Sequence, residues 1–160
     1  MLGQTRAESI DFMHVLTAVQ IAKMRKVLVQ FHMKLASIDV GLKRIGVAIC
    51  LDGNIVLPQN AILRKNRNQA AKEIKAFLEE WEIEKLIVGL PKDAENSEEM
   101  ERRIKHFVSL LDLDIEVAYQ DEQNSSIEAI ELARGVFKHQ KDGKIDSIAA
   151  KIILERWLQN

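Results

Sequence analysis

The chain has 160 residues, of which 47% are hydrophobic and 29% are charged, and its formal net charge is −1. This length predicts one globular domain, and the composition excludes a low-complexity, disordered chain. The single cysteine, Cys50, excludes an intramolecular disulfide and a cysteine-based zinc cluster, and it fits a reducing compartment.

The net charge of the chain gives no support to nucleic-acid binding through an overall positive charge. Residues 1–32 contribute four Lys or Arg against two Asp or Glu, which leaves 19 against 22, a net −3, for residues 33–160. A polyanion would therefore bind at local basic clusters or through bound cations. Three such clusters occur: Lys43 and Arg44; Arg64, Lys65 and Arg67; Arg102, Arg103 and Lys105.

Residues 1–32 form an N-terminal extension to which we assign no function. No apolar run here approaches the ~20 residues of a membrane span, and Lys23, Arg25 and Lys26 interrupt the apolar core that a signal peptide needs. Two interpretations stay open: an amphipathic helix, or a leader or upstream start that precedes Met33. We expect neither membrane insertion nor export.

The predicted single domain, 33–160, opens with three strand patterns, at 34–40, 45–51 and 55–63. The segment Asp52-Gly53-Asn54 predicts a hairpin turn, because Asp-Gly tolerates the positive φ of such turns. Pro58 predicts that the third strand lies at a sheet edge or ends early, because proline has no N–H to donate.

The rest of the chain alternates between helical and strand patterns. Apolar spacing predicts a helix over 67–82, then a buried parallel strand over 85–89. Capping pairs and spacing then predict a helix opening at Asn96, a strand over 115–119, a helix opening at Ser125, and a last helix from about Asp146 to Leu158. The order βββαβαβαα predicts an α/β, ribonuclease H-like fold: a mixed five-stranded sheet, three antiparallel strands then parallel βα units, with helices on both faces.

Three acids stand at the ends of predicted elements, and this fold would bring them to one sheet edge. They are Asp39 in the first strand, Glu122 after the fifth strand and Asp146 at the last helix. Crowded carboxylates raise one another's pKa values unless a cation neutralises them, and hard divalent cations prefer oxygen ligands. We therefore predict that all three are catalytic and bind Mg²⁺ or Mn²⁺, as two ions ~3.5–4 Å apart with Asp39 bridging them.

These acids also have structural interpretations. Asp146 precedes an apolar helix and could be its N-cap, and Asp121 with Glu122 could be solvated loop acids. Asp39 has no capping role inside a strand, where an unpaired carboxylate is costly. Asp39 is therefore the strongest indication of a functional site.

The turn after the first strand is a predicted phosphate contact. Gly41 lets a phosphate approach the backbone, and Lys43 and Arg44 add positive charge beside it. Gly41 and Gly46 also fit purely structural turn and packing roles.

Other side chains that could carry chemistry have simpler interpretations. His106 and His139 are expected at the surface, and Cys50 in the core. The aromatic residues on helical apolar stripes are expected in the core rather than stacked on bases: Phe77, Trp81, Phe107, Phe137 and Trp157.

Four blocks of this sequence resemble the YqgF, or RuvX, family. They are Ile38-Asp39-Val40-Gly41 through Lys43-Arg44-Ile45-Gly46-Val47-Ala48, then Ile87-Val88-Gly89-Leu90-Pro91, Asp121-Glu122, and Ile145-Asp146-Ser147-Ile148-Ala149-Ala150. The resemblance implies a ribonuclease H-like fold, metal-dependent phosphodiester cleavage, a bacterial cytoplasmic setting and maturation of the 16S rRNA 5′ end.

Two departures from the family pattern bear on phosphate binding. Gln123 stands where the family has Arg, which removes a bidentate phosphate contact, and Leu42 replaces a Thr hydroxyl. The Gly-Leu-Pro block is followed by Lys92, a further candidate phosphate contact.

The resemblance makes a metal-dependent endonuclease or exonuclease acting on pre-16S rRNA the leading hypothesis. One alternative is a Holliday junction resolvase acting on four-way DNA, and another is a non-catalytic module that binds ribosomes or nucleic acid. The expected partner is structured RNA, with a DNA junction as the alternative, and the expected state is a monomer or weak homodimer in the cytoplasm.

Overall fold

The computed structural model of the chain describes residues 17–30, 33–91, 97–121 and 143–160. The chain divides into two compact units, Met1–Gln30 and Phe31–Asn160. The first unit contains helix α1, Ala18–Gln30, in which side chains 18–25 are exposed. Within the described part of the chain, no helix is long and apolar enough to cross a membrane.

The second unit is built on a mixed sheet. Its strands are β1, Leu35–Val40; β2, Arg44–Cys50; β3, Val56–Pro58; β4, Ile62–Leu63; β5, Lys85–Leu90; and β6, Glu116–Asp121. The strand order is β3-β2-β1-β5-β6, and β4 also pairs with β2. β2 is antiparallel to β1, β3 and β4, whereas β1, β5 and β6 are parallel. The predicted α/β fold, an antiparallel trio followed by parallel units, is confirmed.

The predicted third strand, 55–63, is two short strands, so the described sheet has six strands rather than the expected five. β3 pairs with residues 48–50 of β2, and β4 pairs with residues 44–45. Pro58 ends β3, because proline cannot donate to a ladder. After it, the Gln59 N–H still donates to the Val47 carbonyl at 2.8 Å, and the chain leaves the ladder before β4. β3 lies at the edge of the described sheet, as Pro58 predicts.

Helices cover both faces of this sheet, as predicted. Helices α2, Arg67–Glu80, and α3, Ser97–Ser109, bury their apolar residues in a large core cluster against one face. Helix α4, Lys144–Gln159, forms a second cluster with the opposite face. The predicted cap at Asn96 and the predicted helix opening at Ser125 lie outside the described residues.

A capping box starts α2 one residue before its first turn. The Gln69 N–H donates to Asn66 Oδ1 at 2.8 Å, and the Gln69 side chain accepts from the Asn66 N–H. Two of the N–H groups that a helix start leaves unpaired are thereby satisfied. This box sets the beginning of α2 immediately after β4 and the basic residues that follow it.

Candidate active site

Strand β1 directs Asp39 toward the face that α4 covers. Side chains alternate along a strand, and Ile38 and Val40 belong to the core cluster that contains α2 and α3. Ser37, two residues before Asp39, donates from Oγ to the Ala150 carbonyl of α4 at 2.7 Å. Asp39 therefore shares a face with Ser37, and it is only partly buried.

Gly46 is the point at which the first turn of α4 reaches the sheet. It lies opposite Asp39 in the β1–β2 ladder, a Cα spacing of about 5 Å. A Cβ built on Gly46 would lie 1.9 Å from the Asp146 carbonyl oxygen and 2.8 Å from the Ser147 nitrogen. The backbones of Asp39 and Asp146, which are far apart in the sequence, thus both adjoin one glycine.

The start of α4 shows that the N-cap interpretation of Asp146 is wrong. The helix begins at Lys144, so Asp146 lies inside its first turn, and the N-cap is Gly143 with a φ of 82°. This left-handed conformation favours glycine. A Cβ on Gly143 would lie 2.6 Å from the Ala61 Cβ and 3.2 Å from Arg44 Cδ. The turn into α4 therefore packs against the segment between β3 and β4.

Burial and a neighbouring cation act on Asp146 in opposite directions. Burial raises the pKa of the Asp146 carboxyl above its usual value, and the positive charge of Arg44 lowers it. Arg44 is the first residue of β2 and is partly buried. Its charge is therefore directed at the candidate site and favours the ionised form of Asp146.

Two buried hydroxyl groups attach α4 to the sheet. Ser147 Oγ accepts from the Val47 N–H at 3.3 Å, an N–H that faces the gap between β3 and β4. Ser37 Oγ makes the bond to Ala150 on the neighbouring strand. Both serines are at most 1% exposed, and they are the buried polar side chains of the described residues. Because unpaired buried polar groups are costly, these bonds define how α4 lies on β1 and β2.

The turn between β1 and β2 is held by Arg64. The Arg64 Nη1–H donates to the Gly41 carbonyl at 2.9 Å, and the Arg64 backbone N–H donates to the Lys43 carbonyl at 2.9 Å. A Cβ on Gly41 would lie 2.5 Å from the Arg44 carbonyl oxygen, so the close turn requires glycine there. Lys43 is exposed.

The third predicted acid, Glu122, lies outside the described residues, as does Lys92. β6 ends at Asp121, which is partly buried and aligns with Leu90 of β5. The carboxyl ends of β1, β5 and β6 share one sheet edge, with β6 about 10 Å from β1. Over the ranges that the structure describes, no group of three His, Cys, Asp or Glu side chains could hold a metal ion.

A cleft of about 380 Å³ opens beside the first turn of α4. Its lining combines amide, cationic and apolar side chains: Pro58, Gln59, Asn60, Lys144, Ser147 and Ile148. This size falls in the range of small-ligand sites. The cleft adjoins Asp146 through Ser147.

The residues assigned to core or surface roles lie where they were expected, wherever the structure describes them. His106 is exposed and Cys50 is fully buried, and burial raises the pKa of the Cys50 thiol. Four of the aromatic residues expected in the core pack in or against the core clusters: Phe77, Trp81, Phe107 and Trp157. His139 and Phe137 lie outside the described residues.

Four residues that shape the site have weak signals in the sequence. In the sequence, Ser37 is visible only as a serine inside the apolar run of β1, and Ser147 only as a serine near the start of α4. The Asp-Gly pair ending at Gly143 marks a turn. Arg64 stands in a basic cluster that resembles any solvated charge run.

Comparisons with known proteins support one family. A family model described as "RuvX: Holliday junction resolvase" matches residues 33–160. A protein of Sulfurovum sp. (strain NBC37-1), named "Putative pre-16S rRNA nuclease", is 78% identical over 126 residues, covering 79% of this chain and 98% of the relative. A protein of the same name from Campylobacter jejuni (strain RM1221) is 56% identical over 124 residues, covering 77% of this chain and 96% of the relative.

A solved structure supports the fold alone. The Holliday junction resolvase of fowlpox virus matches with a TM-score of 0.51 and 14% identity, covering 79% of this chain and 99% of that chain. At this identity the likeness concerns the arrangement of strands and helices.

Proposed function

This chain belongs to the RuvX family, and on that basis we propose that it is a nuclease that hydrolyses phosphodiester bonds in the 5′-end processing of pre-16S rRNA. The structural observation that supports the proposal is the contact of the Asp146 backbone with Gly46, the residue that pairs with Asp39 in the β1–β2 ladder. The names of the relatives suggest the substrate class.

The proposed metal ligands are Asp39, Asp146 and Glu122, which would hold two Mg²⁺ or Mn²⁺ ions. The donor set fits, because carboxylate oxygens are the ligands that these cations prefer. A cation would also offset the burial that raises the pKa of Asp146, and Glu122 directly follows the last residue of β6. When bound, such a pair of ions activates a water molecule and stabilises the leaving oxygen of a phosphodiester.

The β1–β2 turn supplies the proposed phosphate contacts. Gly41 carries no side chain that would keep a phosphate from the backbone, and exposed Lys43 and partly buried Arg44 follow it. We assign a further contact to Lys92 in the loop after β5. Arg44 has a second role, because its charge favours the ionised form of Asp146.

A four-way DNA junction is the second candidate substrate, because the matching family model is described as a Holliday junction resolvase. Cutting both strands of a junction calls for two active sites in a symmetric dimer. A third candidate is a module that binds nucleic acid or ribosomes without cleaving. The neutral Gln123 favours it, because glutamine lacks the charged, bidentate grip of arginine. We place the protein in the cytoplasm, as a monomer or weak homodimer.

The test uses the full chain with a 5′-labelled pre-16S rRNA fragment and, separately, a four-way DNA junction. Each is incubated with Mg²⁺, Mn²⁺ or EDTA. We expect the RNA to be cut only with a divalent ion. Asp39→Asn and Asp146→Asn should each lower the rate by more than about a hundredfold, because each removes a proposed metal ligand. The control Asp112→Asn, at a side chain that is 99% exposed, should cleave as the wild type does.

Each other outcome selects an alternative. Undiminished cleavage by Asp39→Asn removes the proposed mechanism. Cleavage of the junction alone makes the protein a resolvase. RNA binding that is equal with and without metal, with no cleavage, makes it a binding module.

A further inference from the structure

Arg64 is a partly buried cation without a carboxylate partner among the described residues. Its guanidinium carbon lies 5.2 Å from the centroid of the Phe107 ring, which is 0% exposed, and it donates to the Gly41 carbonyl. A guanidinium has five N–H donors, so most of them have no acceptor in the part of the chain that the structure describes. A desolvated charge is costly unless paired, and this donor set matches a phosphate.

Two further cations lie beside Arg64. The positive charge of Arg67 contributes, after burial, to a lowered pKa of Arg64. Lys43 accepts the Arg64 backbone N–H at its carbonyl. Both flanking side chains are exposed, and within the described residues none of the three forms an ion pair. Like charges at short distance repel one another, and a bound phosphate would offset that repulsion.

We propose that Lys43, Arg64 and Arg67 form a phosphate-binding patch for the backbone of the substrate strand. Arg64 packs on Phe107 of α3, whereas Asp39 faces α4, so the patch and the acid pair lie on opposite sides of the β1–β2 turn. A strand that crosses this turn would present one phosphate to the acids and neighbouring phosphates to the patch. This inference rests on the proposed nuclease function, and it specifies where the substrate strand would cross the protein surface.

The test measures binding of the labelled RNA fragment by fluorescence anisotropy in an Asp39→Asn background, which prevents cleavage. The dissociation constant is followed from about 50 to 200 mM salt. Lys43→Ala and Arg67→Ala should each weaken binding several-fold and lower the slope of log K against log salt by about 0.7, the value for one single-strand phosphate contact. Arg64→Lys keeps the charge but loses the paired guanidinium N–H donors that can bind one phosphate through two hydrogen bonds. It should weaken binding on the order of tenfold.

The matched control is Lys72→Ala, which removes an exposed cation from the same helix as Arg67. Its affinity and salt slope should equal those of the parent. Because Lys43 and Arg67 are exposed, their variants test the patch even if Arg64→Lys is poorly folded.

The patch and the nuclease proposal fail in different ways. A wild-type chain that cleaves RNA, with unchanged affinity and salt slope in Lys43→Ala and Arg67→Ala, overturns the patch alone. A chain that binds RNA through the patch but never cleaves it overturns the nuclease proposal alone. A chain that binds neither RNA nor the junction overturns both.

Discussion

Gly46 and Asp146 are in direct backbone contact, close enough that a Cβ at Gly46 would lie 1.9 Å from the Asp146 carbonyl oxygen. Neither side of this contact is a flexible side chain that could turn away. Because Gly46 also pairs with Asp39 across the ladder, the missing side chain in β2 lets the Asp146 backbone lie close to the strand pair that carries Asp39. The candidate site therefore depends on a residue that carries no functional group.

Gly46→Ala should destabilise the protein and impair cleavage together. The added methyl group forces α4 away from β2, which costs about 2–3 kcal/mol of unfolding free energy and displaces Asp146. Urea denaturation and the cleavage assay, on the same preparation, measure both effects. Leu42→Ala, at a side chain that is 76% exposed in the same hairpin, is the control and should change neither stability nor fold. Wild-type stability and activity in Gly46→Ala would contradict the contact.

Asp146→Asn should stabilise the metal-free protein near neutral pH. Because burial raises the folded-state pKa of Asp146, the stabilisation that comes from its protonation is fully present below the unfolded pKa of about 3.9 and is lost as pH rises through the folded pKa. Asparagine carries no charge to bury. The variant should therefore be more stable than the wild type at about pH 7 and equally stable below about pH 4. Thermal unfolding across this range measures the difference, and a difference that does not vary with pH would count against it.

Arg44→Gln should raise the pKa of Asp146 further. The Arg44 charge is the cationic influence that opposes burial at this carboxyl, so its removal leaves burial less opposed. A carbon-13 NMR titration of the carboxyl groups measures the pKa directly. Lys43→Gln removes a neighbouring exposed charge, which solvent screens, and it should leave the titration unchanged. Equal shifts in the two variants would show that net charge, rather than position, is responsible.

Ser147→Ala should cost more stability than Ser37→Ala. The first change leaves the buried Val47 N–H without its acceptor, a loss of about 1–3 kcal/mol. The second removes a donor from the Ala150 carbonyl, which keeps its helical hydrogen bond, so the loss should be about 1 kcal/mol. Urea denaturation of the two variants gives the comparison, and the reverse order would show that Val47 finds another acceptor.

Divalent ions should raise the melting temperature of the wild type. A ligand that binds only the folded state stabilises it by about 2.7 kcal/mol at a hundred times its dissociation constant. Thermal unfolding with increasing Mg²⁺ or Mn²⁺ should therefore show an upward shift that is absent in Asp39→Asn and present in Asp112→Asn. An equal shift in Asp39→Asn would place the ions elsewhere on the protein.

Much of this architecture is encoded in short segments of the chain. The apolar alternation around Asp39 predicts β1, helical spacing predicts α2 and α3, and Asp-Gly predicts the turn before β3. Pro58 predicts an edge strand, and β3 is one. These features follow from the sequence by itself, because periodicity, turn chemistry and proline's missing N–H act between near neighbours.

The decisive features of the site come from tertiary packing. Val47 and Ser147 are 100 positions apart, and their hydrogen bond lies in the gap that splits the predicted third strand. Asp146 could be interpreted as an N-cap until the packing of Gly143 showed where α4 begins. The contact of Arg64 with Phe107, on which its proposed role depends, forms only when α3 packs against the sheet. Such contacts depend on how whole helices pack against the sheet, and no local sequence pattern specifies that packing.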